Sequence, residues 1–486
     1  MLRKVRVLPL IVATALFMEN MDSTVISTSL PMIALDLGTD PIALKLALTS
    51  YLVSLAIFIP ISGWMADKYG ARTIFTAAIA VFMAGSLASA GADSLAGFVI
   101  ARFVQGMGGA MMVPVGRLVI LRSVSRNEVV QALALLTIPA LVGPVVGPPL
   151  GGFITTYFHW RWIFFINIPI GVLGIVLATM YVPNIREDDT PPLDVAGFLL
   201  SGLGLALLML GLASGGRHLI PESVSLACVV IGTISVAAYV WHAKRTPHPV
   251  LRLDLLKVPT FAISVVGGSL FRVGVGSIPF LLPLMLQIGF GLSPVASGSL
   301  TFIAAVGALF MKTMAKRILE RFGFRRVLIA NAFIGAAFIA FHGLFTATTP
   351  HWLIMLILLI GGCFRSLQFT SLNAIAYAEV SKRDMSHATS LSSAVQQVAL
   401  SVGVAFGAFA VEATAHWHGR SAIAAEDFGP AFWAVAAVSA LAGFVFARLE
   451  PTAGAEMSGH RALEQKPPAT GLGDGTTNLG EEVERR

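Results

Sequence analysis

The sequence predicts an all-α multi-pass membrane protein with fourteen transmembrane helices and both termini cytoplasmic, and three observations carry that prediction. The 486 residues are 56% hydrophobic and only 12% charged, with a mean hydropathy of +0.81, against roughly 25% charged in an ordinary soluble domain. The apolar residues fall in runs of about 20, enough for a helix to cross a hydrocarbon core, and lack the alternation of barrel strands. Lys and Arg are unevenly shared: 26 fall in segments assigned to the inner side and 4 in outer ones, while Arg102, Arg272 and Arg365 lie inside spans. That bias places both termini inside.

The first six spans are 8–31, 44–63, 73–91, 96–118, 128–156 and 162–182; the next two are 195–213 and 222–242; the last six are 260–288, 294–313, 325–346, 351–376, 387–413 and 430–449. The organisation is therefore a six-helix bundle over 1–182, a linker with two extra helices over 183–258, a second six-helix bundle over 259–450 and a disordered cytoplasmic tail over 451–486. The basic start, Arg3, Lys4 and Arg6 before an apolar run, resembles a secretory signal. The run continues past Glu19 and Asp22 to Pro31 without a small-residue cleavage site, so it reads as helix 1. Cys228 and Cys363 both fall inside spans, which indicates neither a disulfide framework nor a cysteine metal site. The net charge of +7 is spread through short loops, where it sets topology and needs no nucleic-acid partner.

The loop between helices 2 and 3 runs from Gly63 through Asp67, Lys68 and Gly70 to Arg72. Its glycines permit a tight reversal, Asp67 suits the positive end of the following helix, and Lys68 and Arg72 mark the cytoplasmic side. It reads as a gate latch. A weaker echo, 316–325 with Glu320, Arg321 and Gly323, follows the second helix of the last set and supports two repeated halves around a central cavity.

Glu19 and Asp22 lie one turn apart near the middle of helix 1. A charge there costs about 2.5–3.5 kcal/mol on insertion scales, so such a carboxylate suits a proton carrier unless a cation or water compensates it. Arg102 opens helix 4 inside the membrane and needs a carboxylate or carbonyl partner. In helix 5, Gly143, Gly147 and Gly151 recur at every fourth position, with Gly152, Pro144 and Pro148 among them, giving one face of bare backbone and defined bending points suited to conformational exchange. Arg272 and Arg365, near the centres of their spans, suit an anionic substrate group or a carboxylate of the other half. Gln368, Asn373 and Gln396 are further cavity candidates, although an isolated polar residue in a span more commonly makes a packing hydrogen bond. The His159–Trp162 and His416–His418 clusters read as interfacial anchors, not metal sites. The sequence contains no phosphate-binding loop for ATP and no hydrolase motif.

On these residues the chain resembles the major facilitator superfamily, in particular its fourteen-helix drug:proton antiporter branch of the EmrB/QacA type, over about residues 8–449. Gly63 to Arg72 resembles the loop motif G-x3-D-[RK]-x-G-R-[RK], with Ala71 in place of an arginine; Arg102 to Ala110 resembles the helix 4 motif; 143–152 is similar to the helix 5 antiporter motif. Asp22 to Pro31 resembles D-x-T-I-V-N-x-A-L-P, with Ser27 where Asn is usual, and the segment from Arg161 through Asn167 to Gly171 is typical of the branch. Within the branch the chain resembles the MdtD/HsrA group of multidrug exporters, which tends to carry Gln at the position of Glu19.

The resemblance implies a major-facilitator fold and a substrate:proton antiporter exporting drug-like organic compounds from the bacterial inner membrane. Its partners would be a small-molecule substrate, protons and the lipid bilayer; it would need no cofactor beyond the proton gradient, and a periplasmic adaptor stays open. Asp22, Glu19 and Arg102 would couple protons. A specific metabolite exporter or a proton symporter on the same scaffold, and a non-transporting membrane receptor, are the alternative readings.

Overall fold

Inside a bilayer no water is available to unpaired backbone groups, so an apolar run closes its own hydrogen bonds as a helix. The computed structural model describes residues 2–39, 41–214, 221–420 and 423–460. Among these the chain is helical without strands: α1 Leu2–Asp36, α2 Pro41–Phe58, α3 Ser62–Tyr69, α4 Ala71–Ala90, α5 Leu95–Ser123, α6 Val129–Tyr157, α7 Trp162–Phe165, α8 Asn167–Tyr181, α9 Val195–Ser214, α10 Glu222–Ala243, α11 Pro259–Leu284, α12 Pro294–His342, α13 His351–Ile375, α14 Met385–Trp417, α15 Phe428–Phe446 and α16 Ala455–Ser458. Ten described helices are long and apolar enough to cross a membrane, or eleven when α2 and α3 count as one span bent by 58°. The bend falls beside Pro60, which cannot donate to the helical ladder.

Two glycines mark the sharpest reversals. Gly70, at φ 95°, separates α3 from α4, and Gly323, at φ 73°, interrupts the long α12; that backbone region favours glycine because it has no Cβ. The expected match between the two loops therefore holds at the level of the backbone.

In the first set of helices, α1 lies against α6 and α8, and α5 against α2 and α4; in the last, α11 lies against α14 and α15, and α12 against α13 and α15. The inserted pair, α9 and α10, pack on each other, and α9 also touches α2 and α14. One stretch differs from expectation. Residues 451–460, read from composition as the start of a disordered tail, fold back with Met457 and Ser458 buried, and His460 Nδ1 lies 2.8 Å from the Glu320 carbonyl. A composition-based reading cannot see Met457, a single apolar anchor in a polar stretch. Residues 461–486, the remainder of that tail, lie outside the described residues.

Candidate functional site

Asp22 is the centre of a buried polar knot. Its carboxylate accepts from Arg102 Nη1 at 2.7 Å on one oxygen, and from Gln105 Nε2 at 3.0 Å and Asn167 Nδ2 at 2.8 Å on the other. Arg102 Nη1 also donates to Gln105 Oε1 at 2.5 Å, and Asn167 Nδ2 to Ser86 Oγ at 2.9 Å. Asp22, Arg102, Gln105, Asn167 and Ser86 are all buried. The sequence spacing brings this about: Arg102 and Gln105 lie one turn apart on α5, so both reach the same face of α1, while Asn167 opens α8 from the other side.

Glu19 sits differently. Its Oε1 accepts from the Tyr51 hydroxyl at a long 3.4 Å, and its Oε2 is buried with no hydrogen-bond partner among the described residues. The Arg102 guanidinium lies 4.5 Å over the ring of that same Tyr51, so Tyr51 touches both the second carboxylate and the cation, whose ion pair is with Asp22. The sequence assigned proton coupling to Asp22, Glu19 and Arg102; it named Asn167 only as part of a branch-typical segment and gave no role to Gln105, Ser86 or Tyr51. The available signal was Asn167, a lone amide directly after an aromatic-aliphatic run.

Small residues set the packing beside the knot. A Cβ on Gly143 would stand 2.9 Å from the Met21 amide nitrogen, and one on Gly147 would strike the Thr24 hydroxyl. These two glycines thus hold α6 against the helix that carries Glu19 and Asp22. Gly151 is buried, whereas a Cβ on Gly152 would meet nothing within 4 Å. The side chains of Pro144 and Pro148 lie outside the described residues.

At the end of the bundle that carries Gly70, α1–α8 and α11–α15 are tied together. Asp67 lies in α3, not at the start of α4 as its sequence position suggested, because α3 continues to Tyr69. There it forms an ion pair with Arg122 at 3.0 Å and accepts from the Ser386 hydroxyl in the first turn of α14. Arg122 reaches on to Glu187 at 3.2 Å and to the carbonyls of Lys382 and Arg383 at 3.2 and 3.4 Å. Gly63 lets α3 approach Ser386 and Ser390 closely, and Ser62 Oγ lies 3.0 Å from Ser390 Oγ. The Arg117 side chain donates to the Tyr377 hydroxyl at 3.3 Å and Arg126 to the Ala378 carbonyl at 2.5 Å. These contacts between α1–α8 and α11–α15 all lie at this end.

Lys68 stacks over Trp64 at 4.7 Å, and Arg72 donates to the Thr179 carbonyl at 3.4 Å. The echo loop does not repeat the latch. Exposed Glu320 pairs within its own helix with Lys316 at 3.7 Å, and Arg321 lies over the ring of Phe322, next to it in sequence. Gly323 keeps the turn, but no residue of α13 or α14 approaches as Arg122 and Ser386 approach Asp67.

The second set of helices carries two buried cations with neutral partners and one half-buried cation without a partner. Lys312 donates to Thr370 at 2.6 Å and Arg272 to Asn373 at 3.5 Å, while half-buried Arg365 forms no hydrogen bond or ion pair among the described residues. Arg117 and Lys312, at the ends of the predicted spans 96–118 and 294–313 and counted with the inner segments, are buried within α5 and α12. Gln368 is fully buried. Its amide accepts from Asn331 at 2.9 Å and donates to the Leu328 carbonyl at 3.4 Å, which ties α13 to α12. Gln396 is half-buried and donates to Ser392 at 2.7 Å. At the opposite end from Gly70, the Trp160 indole and Arg161 hold Asp36, at 3.0 and 2.6 Å, and lower its carboxyl below the usual range.

A bundle of long apolar helices, with one half's buried carboxylate–guanidinium knot and a polar latch between halves, defines a membrane transporter rather than an enzyme. The chain belongs to the major facilitator superfamily, whose model matches residues 12–403 and 264–476. Curated relatives share the whole span. The "Putative multidrug resistance protein MdtD" of Serratia proteamaculans is 34% identical, covering 96% of this chain and 97% of its own length. The protein of that name from Citrobacter koseri is 36% identical over 90% and 93%. Among solved structures, the proton:xylose symporter XylE has a TM-score of 0.65 at 16% identity, over 93% of this chain and 97% of its own. The human organic anion transporter MFSD10 has a TM-score of 0.64 at 13% identity, over 91% and 99%. Both show the same fold. The protein is thus a multi-pass transporter of the cell membrane, and its curated relatives are bacterial.

Proposed function

We propose that the protein is a proton-driven exporter, a substrate:proton antiporter that moves drug-like organic compounds by alternating access. The observation that carries this is one buried guanidinium, Arg102, ion-paired with Asp22 and lying over Tyr51, whose hydroxyl donates to a second carboxylate, Glu19. A proton arriving at Asp22 removes the anion that Arg102 balances and frees the cation to move past the Tyr51 ring toward Glu19. Leaving a buried charge without its partner is costly, so protonation and the position of α5 against α1 are linked. Gly143 and Gly147 transmit that change to α6.

Fourteen crossings follow when the eleven spans are joined by α1 and α6 and when α12 is divided at Gly323. The charge bias then puts both termini and the Gly70 latch in the cytoplasm, with bundles over 1–182 and 259–450 and the extra pair between them over 183–258. In this arrangement the latch closes the inner side while the opposite side admits protons. The relatives' multidrug-resistance name supports drug-like cargo. The test is uptake of fluorescent drugs into inverted membrane vesicles energised by an imposed pH gradient. Accumulation that collapses with a protonophore supports antiport; substrate movement down the same direction as protons would instead make the protein a symporter.

A further inference from the structure

Between α11, α12 and α13 the second half encloses a cavity of about 280 Å³. Its walls are apolar, with Phe271 and Phe338 on facing helices and Pro279 and Pro283 shaping the α11 side. Three polar side chains interrupt them, of which Thr301 spends its hydroxyl on the Ser297 and Gly298 carbonyls of its own helix. Arg365 enters from the middle of α13 with no hydrogen bond or ion pair among the described residues. His342, at the end of α12, is 4% exposed, and neither ring nitrogen has a hydrogen-bond partner. The two are within electrostatic reach of each other. No Asp or Glu lines the cavity.

A guanidinium set in an apolar cavity without an anion is costly, and its planar fork fits a carboxylate through two parallel hydrogen bonds; Arg365 is half-buried and lines that cavity. Aromatic walls favour a flat ring, and a single guanidinium matches a single negative charge. The knot of α1 offers no competing partner, since its carboxylates lie in the other half.

We propose that this cavity is a binding site for small aromatic monoanions, compounds of one or two fused rings bearing one carboxylate, held by Arg365 and by hydrogen bonding from His342. The proposal rests on the transport reading, for it assigns that transporter a cargo class, but it is testable separately. Full-length purified protein is titrated calorimetrically with 2-naphthoate, 2-naphthylmethanol and 2-naphthylmethylammonium. The expected result is saturable naphthoate binding at least about tenfold tighter than either the alcohol or the ammonium. Arg365→Gln removes that preference and Arg365→Lys keeps part of it. Because the selectivity among the three ligands is read on the unaltered protein, misfolding of a variant does not decide the outcome. Equal affinity for all three, or naphthoate binding unchanged in Arg365→Gln, overturns the site. Proton-driven efflux of a lipophilic cation without naphthoate binding overturns the site and leaves the exporter; naphthoate binding without pH-driven flux of any compound does the reverse.

Discussion

At the scale of single residues, Asp22 shows how tertiary partners decide what a buried charge does. From sequence alone it was a carboxylate in lipid, with Arg102 a cation in lipid, and their mutual need made pairing the simplest expectation. That Gln105 and Asn167 complete the shell was not legible, because convergence of three helices on one carboxylate has no local signature. The pair should behave as a unit. Arg102→Met, which leaves Asp22 buried without its cation, should cost about 3–5 kcal/mol, and the double variant Asp22→Leu/Arg102→Met should recover most of it, as thermal unfolding in detergent would show. At the end opposite Gly70, Asp36 gives a pH signature of known sign. Trp160 and Arg161 lower its carboxyl in the folded state, so its stabilisation is complete above about pH 3.9, the ordinary carboxylate value, and fades as pH falls through the lowered one. Unfolding temperatures between pH 6 and 3 should therefore decline less steeply in Asp36→Asn than in the unaltered protein.

Among the elements, α6 was the most readable, since glycines four apart on an apolar helix leave a face of bare backbone. Gly143 and Gly147 of that face meet α1, whereas a Cβ on Gly152, one position off it, would meet nothing within 4 Å. Gly147→Val should force the α1–α6 contact apart, at a cost of about 1–3 kcal/mol for overpacking, with loss of transport; Gly152→Ala should leave both stability and transport near wild type. The loop echo was half readable. Gly323 reproduces the left-handed turn of Gly70, a backbone demand visible in the residue type. The charges of Glu320 and Arg321 do not reproduce the latch, because a latch depends on what the rest of the chain brings to it.

Across the whole molecule, the two halves meet through Asp67, Arg122 and Ser386 at one end, with Glu187 of the linker completing the cluster. The linker thus supplies one carboxylate, Glu187, to the cluster that ties the halves. Arg122→Ala should loosen it: spin labels at Thr73 and Ser381 should give a longer distance population by pulsed electron resonance than in the unaltered chain. An unchanged distribution would remove Arg122 from the gate. The central claim is that one buried carboxylate couples proton to cargo, and proteoliposomes loaded with a pH dye test it most directly. Proton movement should accompany drug flux in the unaltered protein and be absent in Asp22→Asn. Coupled transport at the wild-type rate in that variant would contradict the account.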